Sequence, residues 1–189
     1  MKKLILAVAA TLGLSFGIHA ADYKIDTENA HAFIHFKISH LGFSWLHGRF
    51  NTFEGQFSYD ADKLTDSQVN IVIDTSSIDS NHAERDKHLR SADFLNVSEH
   101  PQATFKSTRV VATDDGSFNL HGDLTLNGIT RGIVISARKI GEGNDPWGGF
   151  RTGFSGNTSF ELKDFGINYD LGPASSRVYL ELDVEGIRQ

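Results

Sequence analysis

A two-residue alternation of apolar and polar side chains runs through most of this chain, and it constrains the fold more than any other feature. Successive side chains of a β-strand point to opposite faces, so the alternation marks strands with one buried face and one wet face. Ala32, Ile34, Phe36 and Ile38 share a face, opposed by His31, Phe33, His35 and Lys37. Val69, Ile71 and Ile73 repeat the pattern, as do Phe118, Leu120, Leu124 and Leu126. Ile133, Ile135 and Ala137 follow, then Phe154, Phe160 and Leu162. The last run sets Val178, Leu180, Leu182 and Val184 against Tyr179, Glu181, Asp183 and Glu185. Strands buried on both faces, as in parallel sheets, would be apolar throughout, so the sheet is read as antiparallel around one shared interior.

Turn chemistry separates the runs. Asn127-Gly128 is the strongest hairpin signal, because both central residues of such a turn need positive φ. Asp114-Asp115-Gly116 marks another reversal, and Asn144 to Gly149 reads as a hairpin connection. Between Phe50 and Tyr59 the apolar parity changes, which predicts a bulge near Gly55. Only Asn81 to Leu95 departs from the alternation. Asn81 followed by Glu84 matches a helix-starting cap. Glu84 with His88, and Asp86 with Arg90, have the spacing of helix-surface ion pairs. Leu89, Phe94 and Leu95 are its apolar anchors, so the segment is expected to be a short helix on the rim of a barrel. The fold class is all-β: one domain over residues 21–189, with about eight antiparallel strands, a number that closes a barrel around one small ligand.

Met1-Lys2-Lys3 followed by the apolar run Leu4 to Ile18 reads as a secretory signal peptide over residues 1–20, with cleavage after Ala20. Its loss removes two lysines and no acid, so the formal charge of −6 becomes −8. An acidic chain without a Lys/Arg cluster argues against nucleic acid as a partner. The 0 cysteines exclude disulfides, thiol nucleophiles and thiolate metal sites. His31, His35, His40 and His47 cluster in sequence, but their strand parities differ. His82 and His88 stand six apart rather than the four that align ligands on a helix, and no metal is expected. There is no Gly-x-Ser-x-Gly elbow, no phosphate loop and no prominent carboxylate pair, so no catalytic residue is assigned.

The aromatic content bears on the interior. Phenylalanine numbers 14 against 2 Trp and 1 Met, and many lie on the inward faces. They either fill a packed core or line a cavity. Small inward residues, Ala32, Gly122, Ala137 and Gly156, favour a cavity, because they leave larger neighbours facing gaps. A dry apolar channel suits a hydrocarbon, at about 0.8 kcal/mol per buried methylene.

Four motifs carry a family resemblance. They are His31 to Gly42, ending His40-Leu41-Gly42; Asn81 to Leu95; Gly122 to Gly128; and Lys163-Asp164-Phe165-Gly166-Ile167. In this order and spacing the chain resembles the periplasmic YceI proteins. The resemblance implies a lipocalin-like, elongated antiparallel barrel that holds a polyisoprenoid lipid, an isoprenoid quinone or a precursor, and no cofactor. It implies a periplasmic carrier rather than an enzyme. Beyond the leader no segment approaches membrane-spanning length, so no stable membrane insertion is expected, and a homodimer stays open. Carried onto this sequence, the lumen residues are Phe36, Ile38, Phe57, Ile71, Ile73, Phe94, Phe105, Leu124, Leu126, Ile133, Phe154 and Phe160. His40, Trp45, Asp86 and Arg90 are candidates for the mouth or for bracing it. An enzyme acting on such a lipid, and an empty structural barrel, are the competing readings.

Overall fold

The computed structural model describes residues 20–189, so the expected leader lies outside the described residues save for Ala20. Eleven strand segments form one sheet: β1 (Ala21–Ile25), β2 (Phe33–His40), β3 (Ser44–Phe50), β4 (Phe53–Tyr59), β5 (Gln68–Asp74), β6 (Ile78–Asp79), β7 (Gln102–Ala112), β8 (Phe118–Leu126), β9 (Ile129–Asn144), β10 (Phe150–Glu161) and β11 (Arg177–Arg188). One short helix, α1 (Ala83–Leu89), follows β6.

The register reduces eleven segments to eight continuous staves. Strand β11 pairs with β1 near its C-terminal end, as in Tyr23↔Arg188, and with β2 along its first half, as in Ile38↔Val178. Segments β1 and β2 are therefore one stave, interrupted by residues 26–32. Segments β3 and β4 pair with β2 and β1 in turn and form the second stave, broken at Asn51-Thr52. Segments β5 and β6 form the third, broken by a 3-10 turn at Thr75–Ser77. Each stave pairs antiparallel with the next, and the β1–β11 pairing closes the ring. The expected all-β barrel of eight antiparallel strands with one short helix at its rim is what forms. Closure removes the sheet edges that would otherwise invite aggregation.

The expected bulge lies elsewhere. Gly55 pairs regularly with Ile71, and the parity changes at Asn51-Thr52. There Asn51 N–H donates to Ser77 O at 3.1 Å and Thr52 N–H to Ser77 Oγ at 3.0 Å. The 3-10 turn of the neighbouring stave thus takes up the extra residue and keeps both Phe50 and Phe53 inward. Local sequence shows the parity change, but only the neighbouring strand shows where it is absorbed.

Helix α1 also starts one residue later than expected. Asn81 has φ 62° and turns the chain, while His82 is the cap, its Nδ1 accepting from Arg85 N–H at 3.2 Å. Neither expected ion pair organises the helix. Asp86 is buried and accepts Ser80 N–H at 2.8 Å, together with the Ser80 hydroxyl. Arg90 donates from Nε to Ser76 O at 2.7 Å and from Nη2 to Ile78 O at 2.8 Å. The hairpin at Asn127-Gly128 forms as expected, with φ of 49° and 72°.

Inward glycines do not all open gaps. The Phe105 ring lies against Gly122, and the Phe36 ring lies against Gly48, where an added Cβ would overlap it. The rings are flattened on the barrel wall, and the glycines give them room to lie there. Gly122→Val should push Phe105 off the wall and cost about 1–3 kcal/mol of stability, the range for overpacked cores. Thermal unfolding of Gly122→Val, Phe105→Ala and the double variant tests this. The double variant should lose clearly less than the two single losses added together.

Candidate functional site

Helix α1 and residues 90–101 connect the third and fourth staves across one end of the barrel. Phe94 and Leu95 are buried, and Leu89 packs against the same core. Beneath them lies an apolar cavity of about 330 Å³. Its wall includes Ile34, Phe36, Ile38, Phe50, Ile73, Ala103, Leu124, Leu126, Phe160 and Leu180, and among the described residues its only polar lining is His40, Arg85 and His88. A volume of this size is within the roughly 300–1,000 Å³ of small-molecule pockets, whose walls are mainly apolar with a few placed polar groups.

A second apolar cavity of about 90 Å³ occupies the other half of the lumen, lined by Phe57, Tyr59, Ile71, Phe105, Leu120, Phe154 and others. Ala137 and Gly156 border this one, so two of the small inward residues do open space. The two cavities adjoin: Phe105 of the smaller is in register with Leu124 of the larger, and Ile71 and Leu182 of the smaller precede and follow Ile73 and Leu180 by two residues. Phe154 anchors the smaller cavity with edge contacts to Phe57, Tyr59 and Phe118, at centroid distances of 5.5, 5.1 and 5.9 Å. Lys139 Nζ stands 5.5 Å over the Tyr59 ring nearby.

The expected lumen residues divide between these spaces. Phe36, Ile38, Ile73, Phe94, Leu124, Leu126 and Phe160 line the larger cavity, with His40. Phe57, Ile71, Phe105 and Phe154 line the smaller. Ile133 packs against the core but lines neither. Trp45 has the opposite parity to Leu46, stands on the outer face of β3 and meets the Tyr179 ring edge-on at 5.5 Å. Asp86 and Arg90 line neither cavity and hold the helix to the backbone at Ser76, Ile78 and Ser80.

Arg85 and His88 were missed by the sequence reading. Arg85 donates from Nε to Ser80 Oγ at 2.7 Å and from Nη2 to Ser80 O at 2.6 Å, so its guanidinium is pinned at the cavity edge. His88 Nε2 meets Asp93 Oδ2 at 2.9 Å, and its ring packs edge-on against Phe94 and Tyr169, at 4.9 and 5.0 Å. The signal was present: Arg85 and His88 are three apart, hence on one face of the helix, and Leu89 adjoins them there.

A charged cluster ties together the interruption within the first stave. Asp26 Oδ2 accepts from Arg151 Nη1 at 2.6 Å and lies 3.0 Å from His31 Nδ1, while Arg151 Nε donates to Asp145 Oδ2 at 2.7 Å. Asp26, His31 and Glu185 have the proximity of metal ligands. Arg151 Nη1 already lies between Asp26 and Glu185, and its positive charge sits where a metal ion's would. Burial alone would raise the Asp26 pKa, but donors from Arg151, His31 and Asn29 outweigh it and hold the carboxyl well below its ordinary value. The cluster is structural: it fastens the 26–32 interruption to β10 and β11.

The profile of the YceI-like domain matches residues 23–186, nearly all of the described chain. The chain belongs to the YceI family. A UPF0312 protein of Azotobacter vinelandii is 58% identical over 192 residues, covering all of both chains. Another, of Ectopseudomonas mendocina, is 60% identical over 170 residues, covering 90% of this chain and 89% of its own. Among solved structures, Burkholderia cenocepacia BcnA superposes with a TM-score of 0.76 at 18% identity, covering 85% of this chain and 98% of its own. The Campylobacter jejuni YceI protein gives 0.71 at 24% identity, covering 80% and 90%. A polyisoprenoid binding domain from Saccharophagus degradans gives 0.65 at 15% identity, covering 90% and 100%. At these identities the neighbours speak to the fold, and each is a barrel of the YceI kind. This YceI chain shares that barrel architecture.

Proposed function

We propose that this YceI protein binds one polyisoprenoid chain in the barrel lumen and carries it across the periplasm, without a covalent step. The observation that carries the reading is the larger cavity, whose wall is apolar and, among the described residues, polar only at His40, Arg85 and His88. Such a site discriminates by burial, because each methylene removed from water contributes about 0.8 kcal/mol, and a few isoprene units offset the cost of association. A headgroup oxygen fits at the polar edge, where Arg85 and the two histidines supply donors. The YceI membership supports this, as does the fold shared with a domain described as polyisoprenoid-binding. The apolar leader expected at the N-terminus supports the periplasmic placement.

Protein purified from a periplasmic fraction should yield, on organic extraction and mass spectrometry, a co-purifying isoprenoid lipid at up to one molecule per chain. Protein stripped of lipid should take up an added polyprenol or ubiquinone. Extracts free of hydrophobic compounds, together with no uptake by the stripped protein, would sink the proposal.

A further inference from the structure

The turn between β2 and β3 projects from the rim beside the cavity mouth, and its side chains are unusual for a solvent-facing tip. Phe43 is 86% exposed, Leu41 56% and Trp45 52%. Leu41 has φ 54° and Gly42 φ 80°. A leucine in the left-handed region is strained, and here it gains no burial in return. The turn is nonetheless held in place. Leu41 N–H donates to Ser175 Oγ at 3.3 Å, and that hydroxyl donates to Ser39 O at 2.7 Å. Tyr169, from a neighbouring rim loop, and Tyr179, beneath Trp45, are also exposed. His40 joins the turn directly to the cavity, because it precedes Leu41 and lines the mouth.

We propose that this turn is a membrane-docking wedge, through which the barrel seats its mouth on a lipid bilayer to load or release its ligand. Three observations favour a bilayer over another occupant. The apolar tip adjoins the mouth of an apolar cavity, so a lipid passing between bilayer and lumen stays out of water. Leu41 and Phe43 sit at the apex with Trp45, Tyr169 and Tyr179 set back, which is the order of aliphatic penetration and interfacial aromatics at membrane surfaces. The chain from Asn29 to Phe53 carries no Asp or Glu, although the whole protein is acidic. Lys37 is paired with Glu181 and Arg49 with Asp79, which leaves the hairpin close to neutral. In the neighbouring loop Asp170 accepts Gly172 N–H at 2.8 Å. A hairpin whose two cations are both paired fits a zwitterionic bilayer and needs no anionic headgroup. A second copy fits less well, since a few side chains on a narrow tip fall far short of the roughly 800 Å² per partner of a stable interface.

The purpose of the wedge rests on the lipid-carrier reading, but its test does not. The two tryptophans lie apart, Trp45 by the wedge and Trp147 in the turn between β9 and β10 at the opposite end. Full-length mature protein is titrated with phosphatidylcholine vesicles containing no isoprenoid, using Trp147→Phe to leave Trp45 as reporter and Trp45→Phe to leave Trp147. Trp45 emission should shift to the blue and be quenched by brominated acyl chains, while Trp147 emission stays unchanged. Leu41→Ser with Phe43→Ser should weaken vesicle partitioning at least about tenfold. The same double variant should keep its lipid uptake from detergent micelles and its unfolding temperature. No vesicle response from Trp45, or equal responses at both tryptophans, overturns the wedge. So does a dimer, measured by sedimentation, that the double variant abolishes. Failure of lipid uptake with vesicle docking intact would instead count against the carrier reading.

Discussion

Arg151→Ala should lower the thermal unfolding midpoint by about 6–12 °C, measured by calorimetry or circular dichroism near pH 7. Arg151 Nη1 donates to Asp26 Oδ2 at 2.6 Å, and the Asp26 side chain is only 2% exposed. Removing the cation leaves a buried carboxylate with only His31 and Asn29 as partners, at a cost of about 3 kcal/mol. For a domain of this length each kcal/mol moves the midpoint by about 2–4 °C. Asp26→Asn combined with Arg151→Met should recover part of the loss, because Asp26 then carries no charge, while the buried Asp145 loses its cation and keeps the N–H donors of Trp147 and Gly149. The acid limb supplies a second reading. The folded Asp26 carboxyl is held below its unfolded value, so it binds protons more weakly in the native state. Its contribution is complete above the ordinary carboxylate range near pH 4 and disappears as the pH falls towards its folded value. Wild-type stability should therefore decline below about pH 4, and Arg151→Ala should flatten that decline. An unchanged midpoint and an unchanged acid limb would show that the cluster is not a fastening.

The second large effect concerns binding. Ala103 is buried on β7, across from Ile73, and faces the larger cavity. Ala103→Trp should place an indole in space that the ligand would otherwise use. Displacing about four methylenes, at about 0.8 kcal/mol each, corresponds to a loss of roughly 200-fold in affinity for a polyprenol. The unfolding midpoint should hold or rise, because the cavity is filled rather than created. Val111→Trp, on the outer face of the same strand, is the control and should leave affinity unchanged. Full affinity in Ala103→Trp, with a folded barrel, would remove the ligand from this cavity.

The fold was legible because alternation reports on the stave itself. Residues such as Ile34, Phe36, Leu180 and Leu182 declare their inward face without reference to any neighbour, and Asn127-Gly128 declares its turn through φ alone. The site was legible only in part. Phe36, Leu124 and Phe160 sit on staves whose parity predicts the lumen, and they reach it. Trp45, a candidate for the mouth or for bracing it, lies on the outer face of β3 against Tyr179, a placement its strand parity already indicates. Asp86 and Arg90 have the spacing of an ion pair, yet each satisfies backbone groups from the segment before the helix, because that segment comes to lie beneath α1. Arg85 shares the helix face of His88 and Leu89, a signal present in the spacing, but the position of its guanidinium is fixed by Ser80, outside the helix.

From the residues alone follow an antiparallel sheet with one apolar face, its turns, a short capped helix and stability without disulfides. These depend on side-chain period and backbone preference, which are properties of short stretches of chain. Tertiary structure decided what no short stretch contains. It placed the breaks of three adjacent staves so that Thr52 meets Ser77, and it laid Phe105 and Phe36 flat on glycines of the next stave. It thereby left two apolar cavities where the same residues could have filled one core. The volume inside a closed ring is set by how side chains from different staves meet across it, and that geometry exists only once the ring has closed.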